Sequence, residues 1–378
     1  MSRDVSSILI AFKPPAARLK GDQLFYGKNY CHIGDASHWL EPTRHLAQLG
    51  LSCGIEIHTD DLVDLRDAAI LIFGELPTSR HEIERLRRDY PHLKLILQIV
   101  ETPMGRDWAF DPINHSDFDA VVSYNPMLDD KRRYFSFQIP AGGIGSIEIP
   151  SGAPWQERKI ACLIANVPNV RPIFVRRSGL GMIRNGWRFR PRTWWNYVTE
   201  GGSLYRERLC IAKQCEDTLG DQFDIFGPGW PKAASGTSHS KGFFFSARGA
   251  YEGSKLELLQ NYRFTITYEN CLNDCGYITE KLFDALLAGC VPVYLGNKSI
   301  QKCVPEDVFV DARQFKTRLD LARFIETMSQ ARWRSMRDAG SAFVSTEAIR
   351  AFGSSQYART VLDAVRCVMF NAQSHIGD

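Results

Sequence analysis

The densest set of chemistry-bearing side chains in the 378-residue chain lies in one run, Tyr262-Arg-Phe-Thr-Ile-Thr-Tyr-Glu-Asn270, then Cys271-Leu-Asn-Asp-Cys-Gly-Tyr277 and Ile278-Thr-Glu-Lys281. An apolar strand, a polar loop and a capped apolar helix follow one another there. Thr279 is placed to cap the helix, Leu282, Phe283, Leu286 and Leu287 give it one apolar face, and Gly289 ends it. A helix that starts at the carboxyl edge of a parallel sheet offers free N–H donors and a partial positive charge. Lys281 adds a full charge at the same place, suited to a diphosphate. Glu269 and Glu280 are acceptors for ribose hydroxyls or a base edge, and Tyr268 and Tyr277 can stack or donate a hydrogen bond. The plain alternative makes Glu280 and Lys281 first-turn surface charges. The polar loop between an apolar strand and a capped helix favours binding.

Elements must hold that run in place, and the periodicity supplies them. Ser7–Phe12, Ala68–Phe73, Leu93–Val100 and Phe118–Tyr124 read as apolar strands. Ala36–Leu49 has helical spacing and stops at Gly50, and Ser79-Arg-His-Glu82 reads as a capping box opening a helix through Arg88. Continuous apolar strands between helices belong to a parallel sheet covered on both faces. Around Ile144–Pro154 the chain turns rich in Gly, Pro and Ser, as a linker does. A second series follows, with strands at Lys159–Ala165, Tyr262–Tyr268, Val291–Leu295 and Val308–Val310, a helix over Arg318–Ala339 and a last one over Ser354–Phe370. The expected organisation is an α/β domain over residues 1–150, a second over 151–350 and a terminal helix in 351–378. Two doubly wound, Rossmann-like domains would then face a central cleft. Pro168–Ser203, with seven arginines beside Trp187, Trp194 and Trp195, and Gly229–Gly242 read as long loops within the second domain.

Composition narrows the class. Hydrophobic residues are 44% and charged residues 24% of the chain, which is globular, and a net charge of +3 is too small to argue for nucleic acid. No apolar run is long enough to span a membrane, and the start lacks the pattern of a secretion signal. The ten cysteines form no CxxC pair and no metal-ligand spacing, so no metal is expected. Cys162 and Cys290 sit in apolar runs as buried thiols do. A reducing cytoplasm is the expected location.

Taken together, Tyr268-Glu-Asn, Tyr277-Ile-Thr-Glu-Lys281, Ala285-Leu-Leu-Ala, Val291-Pro-Val and Leu295-Gly296 strongly resemble the donor-binding signature of the α1,3/1,4-fucosyltransferases of glycosyltransferase family 10. The resemblance implies a GT-B fold, GDP-fucose as donor, a glycan acceptor and inversion at the anomeric carbon. It implies a donor site of Arg206, Lys255, Tyr268, Glu269, Asn270, Tyr277, Thr279, Glu280 and Lys281, with Arg208 the alternative to Arg206. Two weaker likenesses accompany it. Leu95–Val100 leads into Glu101-Thr-Pro103 ahead of a strand ending Ser123-Tyr124, which matches Glu101 to the family's general base. Lys159–Asn166 is similar to a family strand that ends in Ser-Asn.

The departures are Ala165 before Asn166, Cys271 where the family usually has Ser, and the Pro168–Ser203 insertion. They leave the nucleotide site intact and the acceptor unnamed. The implied reaction is a single displacement with Glu101 as base, with Arg206 and Lys281 meeting the departing GDP. It needs no divalent ion. The insertion suits an acceptor platform, a peripheral contact with the inner face of a membrane, or a loop packed on the second domain. Nucleic acid is not expected. The implied acceptor is a surface polysaccharide or lipopolysaccharide-like glycan. The other readings are a GT-B transferase for a different nucleotide sugar and a non-catalytic nucleotide-sugar or carbohydrate-binding protein.

Overall fold

The computed structural model describes residues 7–15, 19–26, 39–100, 109, 111–144, 152–166, 203–230, 244–251, 253–273 and 276–371. Its first sheet holds β1 (Ile8–Lys13), β2 (Ile55–Thr59), β3 (Ile70–Phe73), β4 (Lys94–Ile99), β5 (Ala120–Ser123) and β6 (Tyr134–Ser136) in the order β2-β1-β3-β4-β5-β6. Every pairing is parallel. The central strands are apolar throughout because both faces are covered: all four residues of β3 are buried. Helices α1 (Gln23–Tyr26), α2 (Leu40–Ser52) and α3 (Arg80–Asp89) belong to this domain. The strand order reverses between β1 and β3, which opens a crevice at their carboxyl ends.

The second sheet holds β7 (Lys159–Ile164), β8 (Phe223–Phe226), β9 (Ala247–Gly249), β10 (Tyr262–Asn273), β11 (Val291–Asn297) and β12 (Val310–Asp311), ordered β12-β11-β10-β7-β8-β9 and again parallel. Its helices are α4 (Tyr205–Leu219), α5 (Lys255–Leu259), α6 (Glu280–Leu287), α7 (Arg318–Thr327) and α8 (Gln330–Phe343). On one face, Ile211, Ala212 and Cys215 of α4 share a core with Leu321 and Ile325 of α7. On the other, Leu282, Phe283, Leu286 and Leu287 of α6 pack with Tyr294 and Phe352. The two-domain α/β expectation holds.

Several local expectations are corrected. At Ser79 the hydroxyl accepts from the N–H of His81, while the Glu82 carboxylate is taken by the Lys13 ammonium, so no reciprocal capping box forms. Arg318–Ala339 is two helices, because Met328 is extended and Ser329 caps a new start by accepting from the N–H of Arg332. β2, β6, β8 and β9 were not expected. β2 alternates buried and half-buried residues at a sheet edge, and β8 carries Asp224, a charge that hides a core strand.

The last helix, α9 (Ser354–Asn371), leaves the second domain and packs on the first. Tyr357, Ala358, Val361, Leu362, Ala364, Val365 and Val368 join the first core, and the Tyr357 hydroxyl donates to Oε1 of Gln98 on β4 at 2.7 Å. Ser354 donates to Oε1 of Glu41 on α2 at 3.1 Å. No helix among the described residues is long and apolar enough to cross a membrane.

Candidate nucleotide site

β10 outruns its neighbours, and its register with β11 shifts between Tyr268 and Asn273. Alternate side chains along it face opposite ways. Tyr268 is buried on the α4 side, and burial pushes its phenol pKa well up. Glu269 points to the α6 side and is 0% exposed. Its Oε1 accepts from the backbone N–H of Thr279 at 2.7 Å. Its Oε2 accepts from the Thr279 hydroxyl at 2.8 Å and from Nζ of Lys281 at 3.3 Å. Glu269 therefore clips the start of α6 to the strand, and it is closed to solvent where a ribose acceptor was expected.

Lys281 folds over the helix start. Its Nζ donates to the Thr279 hydroxyl at 2.9 Å and lies 3.7 Å from Oε1 of Glu280. The side chain keeps 20% of its surface exposed, so a partly exposed cation stands beside the first turn, where the Lys281 N–H donates to the Thr279 hydroxyl. Lys255, which opens α5 behind the Ser254 cap, pairs with Asp284 one turn along α6 at 2.6 Å. Burial opposes its charge, but Asp284 and Glu280 push its pKa above the ordinary lysine value. Among the described residues no group of His, Cys, Asp and Glu is placed to hold a metal ion.

The arginine that reaches this motif is Arg208. It is 4% exposed, and its Nε and Nη2 donate to the Tyr268 carbonyl at 3.0 and 2.6 Å. Nη2 also donates to Oδ1 of Asn270 at 2.7 Å, and Nδ2 of Asn270 donates to the Tyr277 hydroxyl at 3.3 Å. Burial lowers its pKa, while Glu269, Tyr205, Tyr277 and Glu280 oppose that shift. Arg206, two residues earlier, is exposed and lines a pocket of about 540 Å³ with Cys210, Leu272, Leu295 and the ion-paired Glu207 and Arg318. Two residues along a helix turn the side chain to the opposite side, so the two arginines cannot serve one site.

Sequence reasoning missed one approach to the site. Ser203 bridges Cys271 in antiparallel fashion, and the Leu204 N–H donates to the Asn270 carbonyl at 3.0 Å. The chain entering α4 is thereby laid on the end of β10. Glu101 lies outside the described residues, although β4 ends at Ile99 on the carboxyl edge of the first sheet. The Arg- and Trp-rich insertion lies outside them from 167 to 202, and the second loop from 231 to 243.

With that geometry in view, residues 233–337 match the model for glycosyltransferase family 10 (fucosyltransferase), C-terminal part. Among curated proteins the chain is similar to the 4-galactosyl-N-acetylglucosaminide 3-alpha-L-fucosyltransferase of Homo sapiens. They are 36% identical over 94 residues, 22% of this chain and 26% of that protein. The human 3-galactosyl-N-acetylglucosaminide 4-alpha-L-fucosyltransferase matches at the same identity, length and coverage of this chain and of its own. The likeness thus spans about a quarter of each relative. Among solved structures, an alpha1,3-fucosyltransferase superposes with a TM-score of 0.51 at 13% identity, covering 97% of this chain and 92% of that one. A form of alpha1,3-fucosyltransferase with GDP-fucose gives 0.50 at 12% identity over the same shares. The fold is GT-B, two Rossmann-like domains with parallel sheets.

Proposed function

From a chain whose residues 233–337 match the glycosyltransferase family 10 (fucosyltransferase) C-terminal model, we propose an inverting glycosyltransferase that moves fucose from GDP-fucose to a glycan hydroxyl. The observation that carries the reading is the start of α6, where Thr279, Glu280 and Lys281 gather a helix N-terminus and a partly exposed cation. That arrangement suits the diphosphate of a nucleotide sugar, and a solved alpha1,3-fucosyltransferase neighbour is a structure with GDP-fucose.

In this reading Lys281 and the α6 N–H groups meet the charge that grows on the leaving GDP. Glu280 takes the ribose hydroxyls. Arg208 carries the part first given to Arg206, because its guanidinium stands against Tyr268 and Asn270. Glu269 and Lys255 hold this framework from behind. The acceptor oxygen bonds to the anomeric carbon as the bond from that carbon to the phosphate oxygen breaks, and Glu101 takes the acceptor proton. An α1,3 linkage to a surface polysaccharide or lipopolysaccharide-like glycan, made in the cytoplasm or at the inner face of the membrane, is the corresponding setting.

Calorimetry with GDP, GDP-fucose, GDP-mannose and two UDP-sugars tests the donor site. Tight binding of GDP and GDP-fucose is expected, weakened about 10- to 100-fold in Lys281→Ala by loss of one charge-assisted contact. Preference for a UDP-sugar, or no nucleotide binding at all, removes the fucosyl reading. Turnover is expected to persist in EDTA and to fall about 100-fold or more in Glu101→Gln with donor affinity kept. Rescue of an EDTA-silenced enzyme by manganese would overturn the metal-free mechanism.

A further inference from the structure

Where the two domains meet, one aromatic contact joins the donor loop to the acceptor-side sheet. Tyr124 follows β5 directly and is 0% exposed. Its ring meets that of Tyr277 edge-on, with centroids 5.2 Å apart and planes at 62°. Tyr277 and Cys271 belong by sequence to the second domain, yet they pack into the hydrophobic core of the first. Gly276 completes the seat. Its φ is +82°, and a Cβ there would stand 2.7 Å from the Tyr124 carbonyl and 3.1 Å from Cδ of Pro126. Only a residue without a side chain lets the loop approach so closely.

Tyr277 is tied in turn to the nucleotide side, through Asn270 to Arg208 and along two peptide units to the Thr279 cap. On the other side, Ser123 is the register partner of Ile99, so Tyr124 stands one residue past the level at which β4 ends. β5, the neighbour of the strand that leads into Glu101, and the loop that opens α6 are therefore set against each other through the ring pair and the Gly276 seat.

We propose that Tyr124 is a positioning residue that holds the donor loop in register with the acceptor-side domain. Its side chain is fully buried, so the role assigned to it is positioning and not contact with a substrate. Its effect on transfer rests on the fucosyltransferase reading above, whereas its effect on domain placement does not. An error of about 1 Å in the approach of the reacting groups costs on the order of 100-fold in rate, so loss of the ring should fall on transfer rather than on binding.

The test compares wild type, Tyr124→Ala and Tyr124→Phe for GDP affinity by calorimetry, kcat for transfer, thermal midpoint and solution scattering. Tyr124→Ala is expected to keep GDP affinity, lose about 100-fold in kcat and scatter as a broader distribution of domain separations. Tyr124→Phe, which keeps the ring, should retain most transfer and the wild-type profile. Equal losses of GDP affinity and kcat would overturn the proposal, as would a lowered thermal midpoint with kcat intact. If the wild type transfers no fucose, the functional reading fails, and scattering still decides: a broadened Tyr124→Ala profile supports the positioning role and an unchanged one ends it.

Discussion

Glu269→Ala should weaken GDP binding by about 100-fold or more, although by charge alone it ought to strengthen it. Glu269 is a carboxylate beside Lys281, so its removal leaves the anion site more positive, and Coulomb's law favours tighter diphosphate binding. The hydrogen bonds argue the other way. The enclosed carboxylate accepts from the Thr279 N–H, the Thr279 hydroxyl and the Lys281 ammonium. Alanine leaves those donors without their acceptor, at about 1–3 kcal/mol for each group that stays buried and unpaired. The start of α6 would then leave the strand, taking the N–H groups proposed to meet the diphosphate with it.

Position should win, since an anion site that is not preformed has to be ordered at the cost of binding. Calorimetry with GDP reads the affinity, and a thermal melt reads the framework. The melting temperature should fall by about 2–4 °C for each kcal/mol lost in a domain of this size. Glu269→Gln, which keeps one acceptor oxygen and drops the charge, should lie between alanine and wild type. GDP affinity raised in Glu269→Ala would mean that charge governs and that the clip is dispensable.

Removal of α9 by ending the chain at Gly353 should unfold the first domain while leaving the second sheet intact. The deletion strips Tyr357, Val361, Leu362, Val365 and Val368 from the first core, each buried to within 7% exposure. Burying one such side chain contributes about 1.5–3 kcal/mol, so the sum reaches the 5–15 kcal/mol that is the whole stability of an ordinary domain. Gln98 on β4 would also lose its partner, the Tyr357 hydroxyl. Hydrogen exchange followed by mass spectrometry separates the outcomes. Protection should vanish over β1–β6 and persist over β7 and β10–β12. Protection kept in β3 and β4 would show that the first core stands without the helix.

The nucleotide side was legible in the sequence because its chemistry and its local structure are contiguous: strand, polar loop, cap and apolar helix face follow within forty residues of chain. The difference in burial between Arg206 and Arg208 had a signal that the sequence reading did not use, the helical phase. Arg208, Ile211, Ala212, Cys215 and Leu219 repeat on one face of α4 and are buried together, while Arg206 falls off that face. Other features had no local signal. Nothing in Tyr124 or Gly276 announces a partner across a domain boundary, and the apolar face of α9 does not say which sheet it covers. Glu269 looked like a ligand contact because an acidic residue at a strand end usually is exposed. Only the folded chain shows the cap and the lysine closing over it.

The placement of α9 also bears on how the molecule is made. A chain emerging from the ribosome usually folds its leading domain first. Here β1–β6 are complete long before the helix that seals their core, since that helix follows the whole second sheet in the sequence. The leading domain must wait, with apolar surface open, until the entire second domain has been synthesised. Newborn chains should therefore depend on chaperones until α9 has emerged, and a stop codon ahead of α9 would cost the cell the domain that the helix seals.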